Sequence, residues 1–138
     1  YVALQPHYNL VEREKYEQEY AALAQQYHLS VFPYWSLAAG FLTGKYRSEV
    51  DFNKSARGGG AAKYLNEKGR AVLAALDQVA AAHNSTPATV ALAWLLAQPN
   101  INAPIVSATS NQQLEALFAA PEISLSNEDL DALNKASQ

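Results

Sequence analysis

The chain has 138 residues, enough for one domain with a hydrophobic core of its own. A composition of 49% hydrophobic and 17% charged residues excludes disordered and collagen-like classes, and a net charge of −3 argues against nucleic-acid binding as the main function. With no cysteine there are neither disulfides nor thiolate chemistry, and no apolar run approaches the roughly 18 residues of a membrane span, so a soluble, cytoplasmic protein is the expectation.

Residues 1–5 are a β-prone run closed by Pro6 and read as a buried strand. The start is abrupt for a natural domain and methionine is absent throughout, so the chain is expected to be a piece of a longer polypeptide. After a loop over 7–12, residues 14–27 set Tyr16, Tyr20, Leu23 and Tyr27 at helical spacing, with Glu12, Glu14, Glu17 and Glu19 along a solvated face. Residues 29–34 read as a second buried strand, and a helix between two apolar strands is the βαβ rhythm of a parallel sheet. Residues 47–63, with Asp51, Asn53, Ser55 and the run Arg57-Gly58-Gly59-Gly60, read as a long mobile loop. Residues 64–83 favour a helix that Asn84 terminates. Thr86 then caps and Pro87 opens a second helix, running over 88–97 and apolar nearly all round, hence deeply buried. A turn at 100–102 leads to a third short strand at 103–107 and a helix from near Gln112. Ser126-Asn127-Glu128-Asp129 is a capping box that opens a last helix with Leu130 and Leu133 facing inward. Three βα units in a single domain, 1–138, follow from this order.

The segment from Val31 to Tyr46 carries the most chemistry. An apolar run ends in Tyr34 and opens into a loop of small residues, the way a buried strand delivers a ring and backbone amides to a ligand at its C-terminal end. Two roles are open to Tyr34: a core tyrosine, or a ring stacked on a planar heterocycle. Gln5, ending the first strand, can pair both ways with a carboxamide or satisfy nearby backbone, while Asn9 reads as a turn residue. The turn Ser107-Ala108-Thr109-Ser110, with Gln113 one turn into the next helix, suits an anion or is simply a capped helix start. Arg57 is either a phosphate clamp or part of a flexible linker, since no Lys-Ser or Lys-Thr of a P-loop follows it. His7, His28 and His83 are scattered without metal-ligand spacing, so no metal site is expected.

Residues 34–46 resemble the aldo-keto reductase pattern Y-S-P-L-x-x-G-x-L-T-G-K-Y, with Trp35 and Ser36 in place of Ser-Pro. The Q-x-x-Y-N of Gln5 to Asn9 resembles the same family, as does the last-strand motif P-I-x-G-x-x-x-x-x-Q-L at Pro104, Ile105, Gln113 and Leu114. Ser107 replaces the glycine of that motif, no Lys or Arg occupies 107–110, and Leu117 stands where many members have an adenine-contacting Asn. The resemblance implies an α/β fold: the C-terminal part of a (β/α)8 TIM barrel with parallel strands, from about the sixth strand onward. A complete barrel needs about 250 residues, so this barrel is incomplete.

It also implies an NADP (or NAD) site. There Gln5 holds the nicotinamide carboxamide, Tyr34 stacks on its ring, and the backbone of Trp35, Ser36, Leu37, Ala39, Phe41 and Gly44 wraps the pyrophosphate. Ser107, Thr109 and Gln113 would receive the 2′-phosphate. In the intact enzyme the substrate would be an aldehyde or ketone, protonated by a Tyr that a Lys, an Asp and a His tune. None of those four has a match here, so no catalytic residue is assigned and the isolated chain is expected to be inactive. Three βα units cannot close a barrel, so the chain is expected to form an oligomer or to associate with the missing half, with no nucleic acid or membrane as partner. The rival expectation is a non-enzymatic nucleotide-binding or assembly module on a reductase-like fold.

Overall fold

A computed structural model describes all residues, 1–138. Two short strands, β1 (Ala3–Leu4) and β2 (Ser30–Val31), pair in parallel with Ala3 opposite Ser30 and Leu4 opposite Val31. The pairing extends beyond them: Phe32 N–H donates to Leu4 O at 2.9 Å, Tyr34 N–H to Pro6 O at 2.9 Å, and His7 bridges Tyr34. On the far side of β2 the chain returns in the same direction. Val31 bridges Ile101 in parallel, Asn102 N–H donates to Val31 O at 2.9 Å, and Ile105 N–H to Pro33 O at 2.7 Å. The expected third strand at 103–107 is thus extended and parallel but not a regular strand. Pro104 has no N–H to give the ladder, and the Asn102 side chain accepts from Val31 N–H at 2.9 Å in competition with backbone.

The helix expected over 14–27 forms, with one difference. A π-type turn, Tyr16–Tyr20, precedes α1 (Ala21–Gln26), and its wider i→i+5 bonding rotates the face of the helix beyond it. Tyr16 and Ala24 are buried and Tyr20 is half-buried, whereas Leu23 and Tyr27, expected inward, are 48% and 64% exposed. The acidic face is not simply solvated either, because Glu17 accepts from Tyr8 Oη at 2.8 Å and Glu12 from Tyr64 Oη at 3.0 Å.

Residues 47–63 fold into short helical pieces instead of a mobile loop. A Ser48–Asp51 capping box starts a 3-10 turn, Glu49–Lys54, and α2 (Gly58–Ala61) comes next. Gly58 is buried so tightly against this turn that a Cβ there would lie 1.8 Å from Phe52 O, which turns the glycine run from a source of freedom into a packing requirement. The next helix, α3 (Glu67–Ala82), starts three residues later than expected, because Asn66 caps it by accepting from Gly69 N–H at 2.9 Å. Asn84 ends it with φ +49°, and Thr86 caps α4 (Pro87–Leu96), buried from Thr89 through Leu95 as its all-round apolar pattern requires. Two surface helices, α5 (Asn111–Phe118) and α6 (Asn127–Ala136), complete the chain. The Ser126–Asp129 box caps α6 as expected, Asp129 also meets His83 at 2.8 Å, and Leu133 is buried with Leu130 half-buried beside it.

Arg13 locks the two ends of the chain together. Its Nη1 donates to Ser137 Oγ at 2.7 Å and Asn134 Oδ1 at 3.0 Å, its Nε to Glu17 at 2.8 Å, and the guanidinium lies 5.1 Å from the buried Trp94 ring. Trp94 Nε1 donates to the same Asn134 Oδ1 at 3.0 Å, so helix α6 is held by a largely buried polar hub. Arg13→Ala should lower stability by roughly 2–4 kcal/mol in urea unfolding and release α6 first, read as faster amide hydrogen exchange over 127–136. Unchanged protection there would show that α6 is anchored elsewhere.

Candidate functional site

Because β1, β2 and the 101–107 segment run parallel, their C-terminal ends gather at one edge of the sheet. Gln5 is exposed at the end of the first, Tyr34 is 39% exposed at the end of the second, and Ser107 is exposed at the end of the third. Side-chain hydrogen bonds from three residues tie the neighbouring turns together. Asn9 is buried; its Nδ2 donates to Trp35 O at 2.9 Å while its Oδ1 accepts from Val11 and Glu12 N–H at 2.9 and 3.0 Å. It is the turn residue its sequence position indicated, and it also grips the loop after Tyr34. Ser36 is buried with Oγ 3.0 Å from Pro33 O and 3.1 Å from Ile105 O, sharing its one proton between the loop and the third extended segment. Arg57 Nη1 reaches Ser107 Oγ at 3.5 Å, which brings the glycine-rich segment onto the same edge.

The loop itself is backbone-driven. Trp35, Ala38 and Ala39 have φ of +56°, +50° and +57°, and Gly40 comes next at +90°, so a run of left-handed residues turns the chain sharply. Thr43 Oγ1 donates to Gly40 O at 2.7 Å, and at Gly44 (φ +79°) Arg47 Nε donates to the carbonyl at 2.7 Å. Arg47 then forks onto Asp77 of α3 with two bonds of 2.8 Å, fixing the far end of the loop.

The candidate residues divide by what their side chains do. Tyr34 and Trp35 (49% exposed) present rings at the edge, with Leu37, Ala39 and Gly44 part-exposed along the loop. Phe41 is fully buried, its ring 5.8 Å from Tyr64, so it shapes the loop from beneath and, unlike its expected role, offers no surface of its own to a ligand. Gln113 spends its carbonyl on Thr109, accepting from the backbone N–H at 2.8 Å and from Oγ1 at 3.1 Å, and so closes the turn that opens α5. Ser110 caps that helix by accepting from Gln113 N–H.

His7 drew no role from the sequence beyond exclusion from a metal site, yet it lies at the centre of this edge. Its ring stacks on Tyr34 (centroids 5.3 Å apart, planes at 23°) and meets Trp35 edge-on at 5.7 Å. Its Nε2 is buried and has no hydrogen-bond partner. Strand alternation was the available signal, since His7 lies two residues beyond Gln5 and so shares its face. Burial pulls the His7 pKa down, Glu12 opposes this and Lys63 adds to it. Glu12 is itself pushed up by burial, but hydrogen bonds from Lys63 (3.1 Å) and Tyr64 (3.0 Å) outweigh that and hold its carboxyl below the usual value. His7 should therefore titrate below 6.5 when followed by NMR of its ring protons. The native chain then binds fewer protons than the unfolded one, so the His7 contribution to stability is complete above 6.5 and is lost as pH falls toward the lowered value. His7→Gln should remove that acid-side slope from the stability curve; a slope that survives belongs to other groups.

Parallel extended segments alternating with helices, with rings and tight small-residue turns collected at the segments' carboxyl ends, define an α/β chain with a candidate ligand edge. Residues 1–138 match the model of the aldo/keto reductase family. The chain is 37% identical over 133 residues to the oxidoreductase YrpG of Bacillus subtilis, covering 96% of this chain and 39% of that protein. It is 32% identical over 112 residues to the aldo-keto reductase yakc of Schizosaccharomyces pombe, whose name specifies NADP(+), covering 79% and 33% of the two. Its fold is similar to that of the thermostable aldo-keto reductase Tm1743, solved with the inhibitor epalrestat, with a TM-score of 0.69 at 24% identity over 96% of this chain and 38% of that one. The chain belongs to the aldo/keto reductase family. It spans 33% to 39% of the length of these two curated relatives. No helix is long and apolar enough to cross a membrane.

Proposed function

We propose that this chain is the nicotinamide-nucleotide-binding portion of an aldo-keto reductase barrel, acting on an aldehyde or ketone only together with the remaining portion. The observation that carries the reading is the meeting of Tyr34, the loop after it and the Arg57–Ser107 contact at one sheet edge. One face of Tyr34 is covered by His7 and the ring remains 39% exposed, which leaves room for a planar ring on its other side. Gln5 is exposed at the adjacent strand end, and on this reading its amide pairs with the carboxamide. Arg57 supplies the cation that residues 107–110 lack, and with Ser107, Thr109 and the amides opening α5 it would receive the phosphates. That donor set suits an anionic dinucleotide, with NADP favoured by the extra charge Arg57 can meet.

When bound, a nicotinamide cofactor supplies the hydride for carbonyl reduction. This chain's residues bind and orient it, and the proton donor would come from the other portion. Unpartnered surface supports the same division. Leu23 and Tyr27 on α1, and Leu114 and Phe118 (41% and 69% exposed) on α5, form apolar stripes, while β1 has β2 as its one strand partner.

Titration with NADPH should enhance nucleotide fluorescence on binding, and Tyr34→Ala should weaken that binding by about 2- to 10-fold, the size of one aromatic stack. A cooperatively folded chain that binds neither NADPH nor NADP+ at millimolar concentration would overturn the reading. For the partner, mixing the chain with the N-terminal portion of a family relative should yield co-elution on size exclusion and aldehyde-dependent NADPH oxidation. A monomeric chain that stays separate would exclude association with that half.

A further inference from the structure

His7 is the one aromatic cation-forming group in contact with Tyr34, and nucleotide binding by itself gives it no role. Resting on the nucleotide-binding reading, we propose that His7 makes the site discriminate between the two oxidation states of the cofactor as pH falls: charged His7 disfavours the cationic oxidised nicotinamide and leaves the neutral reduced ring nearly unaffected.

The imidazole centroid lies 5.3 Å from that of Tyr34 with the planes only 23° apart, so the tyrosine ring separates His7 from a heterocycle stacked on its free face. A second stack of ordinary spacing puts the imidazole and nicotinamide rings about 9 Å apart. At an effective dielectric of about 20–40, two positive charges at that separation repel enough to change affinity by about 5- to 20-fold, whereas a neutral dihydronicotinamide feels no comparable force. A protonated imidazole over one face of Tyr34 also engages the ring quadrupole that a cationic nicotinamide would use from the other face, so both effects act in the same direction.

The surroundings keep His7 neutral near pH 7 and able to charge below it. Nε2 has no acceptor to stabilise a proton, and the ring is wedged between Tyr34 and Trp35. The charged groups around it are Glu12, which is committed to Lys63 and Tyr64, together with Arg13, Glu14, Lys15 and Lys68, which line a polar cavity beside it. Glu12 favours protonation, and Lys63 and burial oppose it. No carboxylate is hydrogen-bonded to the ring, and the one coupled to it, Glu12, is already paired with Lys63, so protonation adds net positive charge beside the nucleotide.

The test is the ratio of dissociation constants for NADP+ and NADPH, measured on the full chain by nucleotide and tryptophan fluorescence from pH 8 to about 5.5. Titration of the 2′-phosphate is common to both nucleotides and cancels in the ratio. In the wild type the ratio should rise by about 5- to 20-fold through the His7 titration, and in His7→Gln it should stay flat. His7→Asn provides a second neutral variant, and thermal melts establish which of the two folds. By linkage, saturating NADP+ should lower the His7 pKa read by NMR while NADPH leaves it nearly unchanged, a readout that a merely structural histidine would not give. A ratio independent of pH in the wild type, or one that rises equally in a folded neutral variant, overturns the inference and leaves the nucleotide-binding reading standing. Failure of both nucleotides to bind at any pH overturns that reading and the inference with it.

Discussion

Parallel pairing is the constraint on which the rest of the molecule depends. Since β1, β2 and the 101–107 segment point the same way, the chain must cross back over the sheet between them, and every C-terminal end falls on one edge. Contacts between residues far apart in sequence result directly: Asn9 with Trp35, Ser36 with Ile105, Arg57 with Ser107. Reversing any one segment would send its turn to the opposite edge and dismantle the site without altering a side chain. The crossovers in turn explain α4, whose seven consecutive buried residues, Thr89 to Leu95, leave it no solvent face along that stretch.

The loop after Tyr34 shows how that constraint is used locally. Three non-glycine residues held at positive φ each cost on the order of 1–2 kcal/mol, and a turn of this kind would not persist alone. Hydrogen bonds from Asn9 Nδ2 to Trp35 O and from Ser36 Oγ to Pro33 and Ile105, each of roughly 1 kcal/mol, offset part of that strain because the sheet has already brought their partners into place. Small side chains at Ala38, Ala39 and Gly40 then reflect backbone geometry as much as any ligand. Trp35 is the exception, a bulky residue in the left-handed region whose carbonyl Asn9 fixes and whose ring stays at the edge.

Much of this was legible in the sequence where the signal was local. The caps at Thr86 and Ser126, the proline at position 87 and the stop at Asn84 act through neighbouring backbone groups, and each falls where its chemistry places it. The order of ring, loop and Gly44-Lys45-Tyr46 carried the family resemblance, and the family is the one the chain belongs to. What escaped depends on contacts across the fold. The π-type turn that rotates Leu23 and Tyr27 outward leaves no trace in a 3.6-residue period, and the folding of 47–63 rests on Gly58 meeting Phe52 O and on Tyr46 bonding Ser55. Glu12 and Glu17 read as solvated because their partners, Tyr64 and Tyr8, are brought to them by tertiary packing. His7 and Arg57 were ambiguous as single residues and gain meaning only from the ring and the strand end they reach.

The same geometry accounts for a chain that spans only part of its relatives' length and yet has an interior of its own. Twenty-four buried residues form one connected core. Arg13 is the reason the last helix belongs to that core: it spans 121 positions to Asn134, stacks on Trp94 and returns the end of the chain to the loop after β1. The apolar stripes lie on α1, which crosses from β1 to β2, and on α5, which follows the last extended segment, and β1 has a partner on one side only. Strands added beside β1 would cover that open edge and extend the edge bearing Gln5 and His7. The open side of β1 and the strand end bearing Gln5 and His7 belong to the same segment, so on the proposed reading strands docked there would cover that side and extend the site.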